Sequence, residues 1–135
     1  MGAWAVDAFG NDDAGDWLYS LYESEDLSVI DSTLTKVLET EDYLEAPEAS
    51  EGIAAAEVIA RLQGRPDPVS TEDEELDAWL AAVKTKPDAA LAKKAHAVID
   101  RILSPPSELR ELWEESEEFD AWKASIENLK ARISA

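Results

Sequence analysis

The chain has 135 residues, and its 31 acids against 12 lysines and arginines give a formal charge of −19. It is long enough for one domain with a core of its own. The absence of cysteine excludes disulfides, thiolate metal sites and a thiol nucleophile. A field of this sign repels nucleic acid and anionic lipid, because phosphate binding works through lysine and arginine. No apolar run approaches a membrane span, and no basic flank with a hydrophobic stretch opens the chain. The expectation is a soluble cytoplasmic protein, monomer or homodimer, with no nucleic-acid or membrane partner.

The predicted elements are helical from end to end. Residues 1–10 read as an extended segment anchored by Trp4 and Phe9, with Asn11 as N-cap of the first helix. That helix repeats Ala14, Trp17, Leu18 and Leu21 on one face. Ser28 starts a second, with Ile30, Leu34, Val37 and Leu38 facing inward. Pro47 suits the first turn of a third, which runs through an alanine-rich stretch to Leu62, with Gly64 as its left-handed stop. Small residues there predict close approach by neighbouring helices. Thr71 and Glu74 form a capping box ahead of Leu76, Trp79, Leu80 and Val83, with Lys84 and Lys86 near the negative end of that helix. Pro87-Asp88 opens a fifth helix bearing Leu91, Ala95, Val98 and Ile102. Ser104-Pro105-Pro106-Ser107 stops it, and Ser107 caps the next. Leu112, Phe119, Trp122, Ile126, Leu129 and Ile133 carry the last face, which Ser116 can divide by capping a second helix. The fold expected over residues 1–135 is all-α: a single-domain bundle of about six helices.

Charge is unevenly spread. Through residue 60 fifteen acids face one base, Lys36, a net of −14; the remaining residues balance sixteen acids against eleven bases, a net of −5. A face of one sign attracts a partner of the other and speeds its encounter. Residues 84–101, with five bases and two acids, pair most simply with the acidic half, in the fold or in a dimer.

Asn11-Asp12-Asp13-Ala14-Gly15-Asp16 offers hard oxygen ligands, but its spacing departs from an EF-hand loop. Capping explains it better: Asn11 accepts from free N–H groups, and Asp12 and Asp13 sit at the positive end of the helix. Trp17, Trp79 and Trp122 lie on apolar helix faces and read as core. His96 has no serine or cysteine nucleophile arranged beside it in the sequence. Glu48-x-x-Glu51 and Glu74-x-x-Asp77, on consecutive predicted helices, resemble the Mg²⁺-holding pattern of all-α nucleotide pyrophosphatases of the MazG type. In so acidic a chain the pattern recurs without meaning, as at Glu111/Glu114 and Glu115/Glu118. The helix dipole also accounts for Glu48 and Glu51 directly after Pro47.

Gly2-Ala3-Trp4, Phe9, Asn11-Asp12-Asp13-Ala14 and Asp16-Trp17 resemble the opening of a family of small bacterial proteins, domain of unknown function 4259. The run Ser107-Glu108-Leu109-Arg110-Glu111-Leu112-Trp113-Glu114-Glu115, with Trp122, Leu129 and Arg132 beyond it, is similar to that family's C-terminal pattern. Ala5 and Asp7 stand where the family pattern has glycines, which lets the backbone between Trp4 and Phe9 take another path. The resemblance implies no reaction and no cofactor. The function expected is a non-enzymatic interaction module for a basic protein partner, an immunity or inhibitor protein or a nucleic-acid mimic, with the Mg²⁺-dependent pyrophosphatase using Glu48, Glu51, Glu74 and Asp77 as the alternative.

Overall fold

The computed structural model describes residues 12–65, 74–83 and 85–134. Among them run α1 (Asp12–Tyr22), α2 (Ser28–Glu39), α3 (Ala46–Leu62), α4 (Glu74–Ala82), α5 (Ala89–Leu103), α6 (Glu108–Glu114) and α7 (Phe119–Arg132). Seven helices replace the expected six because the last segment divides. After α6 ends, Ser116 Oγ accepts the Glu118 N–H at 2.9 Å and sets the turn from which α7 starts. The segment 1–10 expected to be anchored by Trp4 and Phe9, the expected caps Asn11 and Thr71, and Lys84 lie outside the described residues.

Helix α3 is the axis, packed by α1, α2, α5, α6 and α7. From Ala49 to Ala60 every residue except Glu51 is buried. Apart from Glu57 the buried run is made of small and β-branched side chains, so neighbouring helices come close to its backbone. At Gly52 an added Cβ would lie 3.1 Å from both Val37 Cγ2 and Val98 Cγ1, which places α2 and α5 against this turn. The helix ends in a Schellman motif: Gly64 takes φ +80°, Gly64 N–H bonds to Arg61 O at 3.0 Å, and Arg65 N–H to Ala60 O at 2.8 Å.

Its start is tied to α6. Leu44 and Ser107 form an isolated parallel bridge in which Leu44 O accepts the Glu108 N–H at 2.8 Å. The Glu108 carboxylate in turn accepts the Ala46 N–H at 2.7 Å, capping α3 from a distant segment. Arg101 pins the same corner by donating to Asp42 O at 2.7 Å and Pro106 O at 2.9 Å. Ser107 occupies the N-cap position of α6 but does not cap it; its Oγ is buried without a hydrogen-bond partner among the described residues. The bridge to Leu44 has taken over that role.

Three tryptophans sit where the helical spacing puts them, Trp17, Trp79 and Trp122, all buried. Trp17 Nε1–H donates to Thr33 Oγ1 at 2.8 Å and Trp79 Nε1–H to Ser24 O at 2.7 Å, so each indole enters the core without an orphaned donor. Two side chains correct the expected faces. Leu38 is exposed at the end of α2, and Trp113, not the half-buried Leu112, enters the core from α6. Trp113 stacks on Trp122 with centroids 5.9 Å apart and planes 8° from parallel, joining α6 to α7.

Among the described residues a carboxylate lies inside the bundle. Glu57, only 1 % exposed, accepts from Arg61 Nε at 3.1 Å and from Arg132 Nη2 at 2.8 Å and Nη1 at 3.3 Å. Arg132 also donates to Arg65 O at 3.0 Å and Asn128 Oδ1 at 2.8 Å, so the end of α7 is locked to α3. A buried carboxylate that loses a partner costs far more than an exposed pair is worth. Arg132→Ala is therefore expected to lower unfolding free energy by about 3 kcal/mol in urea titration. Lys130→Ala, which removes an exposed pair with Asp100, is expected to cost less than about 1 kcal/mol.

Candidate functional site

The described exposed acids of the first sixty residues lie on α1, α2 and the loops that follow each, with Glu48 and Glu51 half-buried at the start of α3. Asp12, Asp13 and Asp16 are exposed on α1, beside the buried Trp17. Glu23, Glu25 and Asp26 follow on the first loop, Glu39 ends α2, and Glu41, Asp42 and Glu45 lie on the second loop, all exposed. Period 3.6 separates the two roles: Ala14, Trp17, Leu18 and Leu21 turn inward, and the acids between them outward.

Few of these carboxylates are neutralised within the fold. Among the described residues, Asp31 pairs with Lys94 at 2.5 Å and Glu48 approaches Lys36 at 3.8 Å. The Lys94 pair shows part of the basic segment meeting the acidic half inside one chain, as the simpler reading required. Arg101 instead serves backbone carbonyls. The Lys36 pair is long and the lysine side chain is 63 % exposed, so it does little to quench the field.

Where α1, α2 and α3 meet, the charges act on one another. Burial pushes the Glu51 carboxyl above the usual range, with Glu48 and Asp13 adding to the rise and Lys36 opposing it. One Glu48 oxygen, Oε2, is buried without a hydrogen-bond partner among the described residues. Elsewhere hydrogen bonds hold a carboxylate charged. The Ser28 hydroxyl and N–H keep the Asp26 carboxyl below its usual range, with Ser24 contributing. Desolvation and the Glu111 carboxylate raise the Tyr43 phenol, whose hydroxyl donates to Glu111 Oε1 at 3.0 Å.

The four acids of the pyrophosphatase pattern are not gathered. Glu48 and Glu51 are half-buried at the start of α3, whereas Glu74 and Asp77 are exposed on α4, whose main packing is against α1. Among the described residues no three Asp, Glu or His side chains form a group that could hold a metal ion. Asp12, Asp13 and Asp16 likewise stand apart as a surface. His96 is structural: its Nε2 lies 2.7 Å from Ile133 O, so this nitrogen carries the proton and donates, tying α5 to the end of α7. No helix among the described residues is long and apolar enough to cross a membrane.

A family model described as a domain of unknown function (DUF4259) matches residues 2–125. Searches of curated proteins and of solved structures return no match.

Glu51 makes a pH test of this surface. Its folded-state pKa is raised, so the ionised form opposes folding. The penalty is absent below the unfolded pKa and grows as pH rises from there through the raised folded-state pKa. Glu51→Gln is expected to raise Tm at pH 7 and to leave it nearly unchanged at about pH 4, measured by thermal unfolding followed by circular dichroism.

Proposed function

The chain belongs to the family described as a domain of unknown function (DUF4259), and we propose that within it this protein is a non-enzymatic module that binds a basic partner protein through the acidic half. The observation that supports this reading is the exposure of the acids on α1, α2 and their loops, set against the single base Lys36. In its sharper form the module is an inhibitor of immunity type or a nucleic-acid mimic, covering a basic surface that would otherwise act on another molecule. Such a surface speeds encounter and fixes orientation more than it adds raw affinity, and salt weakens its binding. The helices beneath it are held rigidly to α3, so little ordering is needed on association. The partner acts here in the cytoplasm, on a monomer or a homodimer.

The test separates a specific face from net charge. An oligolysine peptide is titrated into the protein at low and high salt, and the same titration is run on two variants. Neutralising Asp16, Glu23, Glu39 and Glu41 to their amides is expected to weaken binding about tenfold or more, the scale of four partly screened charge contacts. Neutralising Glu115, Glu117 and Glu118 in the second half is expected to leave it nearly unchanged. Equal losses in both variants, or binding insensitive to salt, would count against the acidic half as the binding face.

A further inference from the structure

Between the end of α1 and α4 lies a slot of about 510 Å³ lined by Tyr22, Ser24, Glu25, Trp79, Val83 and Thr85. Its rings are held in place without a ligand. Trp79 is fixed by its bond to Ser24 O at 2.7 Å, and Tyr19 meets Tyr22 edge-on with centroids 6.4 Å apart. The same Trp79 bond steadies the loop that carries Glu25. Glu25 is exposed and, among the described residues, makes no ion pair. An indole and a phenol, an aliphatic wall at Val83 and the exposed Glu25 carboxylate match one kind of guest. That guest is a long side chain with an apolar stem and a cationic head.

A second cavity of about 480 Å³ lies on the other side of Thr85, and its charges argue against the same guest. Asp31 is paired with Lys94, Asp88 accepts the Leu91 N–H at 2.8 Å, and Asp26 accepts the Ser28 N–H at 3.0 Å. Lys86 and Lys94 also line it and repel a cation. Among the described residues that line the aromatic slot there is no lysine or arginine.

We propose that this slot seats a lysine or arginine side chain from an extended basic segment of the partner. The inference rests on the acidic-face reading and gives that face a specific point of attachment. Rings set in advance favour binding because their ordering has already been met in folding.

The probe is a blocked Gly-Ser-Lys-Gly-Lys-Ser-Gly peptide, with norleucine in place of lysine as control, titrated into the full chain labelled with ¹⁵N. The Trp79 indole N–H and the Glu25 and Thr85 amides are expected to shift together and saturate with the lysine peptide, and to stay still with the control. Glu25→Gln, on an exposed loop, and Tyr22→Leu, which keeps apolar volume and removes the ring, are each expected to weaken binding about two- to fivefold. Retention of the Trp79 indole resonance in the free variants shows that the fold is intact. Shifts confined to the amides of Asp16, Glu39 and Glu41 would remove the slot and leave the acidic face standing. Equal response to lysine and norleucine, or no shift at all, would also overturn the slot, and the second would count against the face itself.

Discussion

Everything in this bundle depends on how closely other helices approach α3. At Gly52 the backbone passes so near α2 and α5 that even a methyl group would press on Val37 and Val98. Around it Ala49, Ala54, Ala55, Ala56 and Ala60 are fully buried and occupy little space. Helices packed at such short range gain many dispersion contacts per residue and leave few voids. Larger residues on this axis would push α2 and α5 outward and with them the surface that they carry.

Into that apolar axis the chain inserts one charge, Glu57, and surrounds it with Arg61 and Arg132. Replacing such a network with apolar side chains is often no loss in stability. The bonds between Glu57 and Arg132 tie α7 to α3. The bridge between Leu44 and Ser107 does the same for α6 at the opposite end of the axis. Once α3 has claimed the small residues and the inward faces their apolar ones, the acids of α1 and α2 have only the outside left. Most of the described acids of the first sixty residues are therefore exposed.

Much of this architecture was legible because helices write their inward face locally. Trp17, Trp79 and Trp122 sat at the third and fourth positions of repeating apolar faces, and the Gly64 stop followed directly after the last of α3. Trp113 was missed for a local reason: α6 has only seven residues, too few to set a phase before Glu115 to Glu118 break it. Leu38 was assigned inward by a period that its helix no longer keeps at the final turn. Glu57 carried a signal, a lone acid between Ala54-Ala55-Ala56 and Val58-Ile59-Ala60, but its partner Arg132 is seventy-five residues away. The bond to Glu57 supplies a physical reason for an arginine at position 132. The excess of acids in the first sixty residues is visible as composition. The slot between α1 and α4 is not, because it needs Tyr22 and Trp79 to meet across fifty-seven positions of chain.

Native-state hydrogen exchange tests the central claim, that α3 is the axis on which the other elements are hung. Amides of residues 53–59 are expected to exchange only through unfolding of the whole molecule, with an opening free energy equal to the global stability. Amides of Trp79 and Leu80 in α4, whose main packing is against α1, are expected to open at lower cost. Exchange of the α3 amides as fast as those of α4 would contradict the claim, since an axis cannot open while the elements packed on it stay in place.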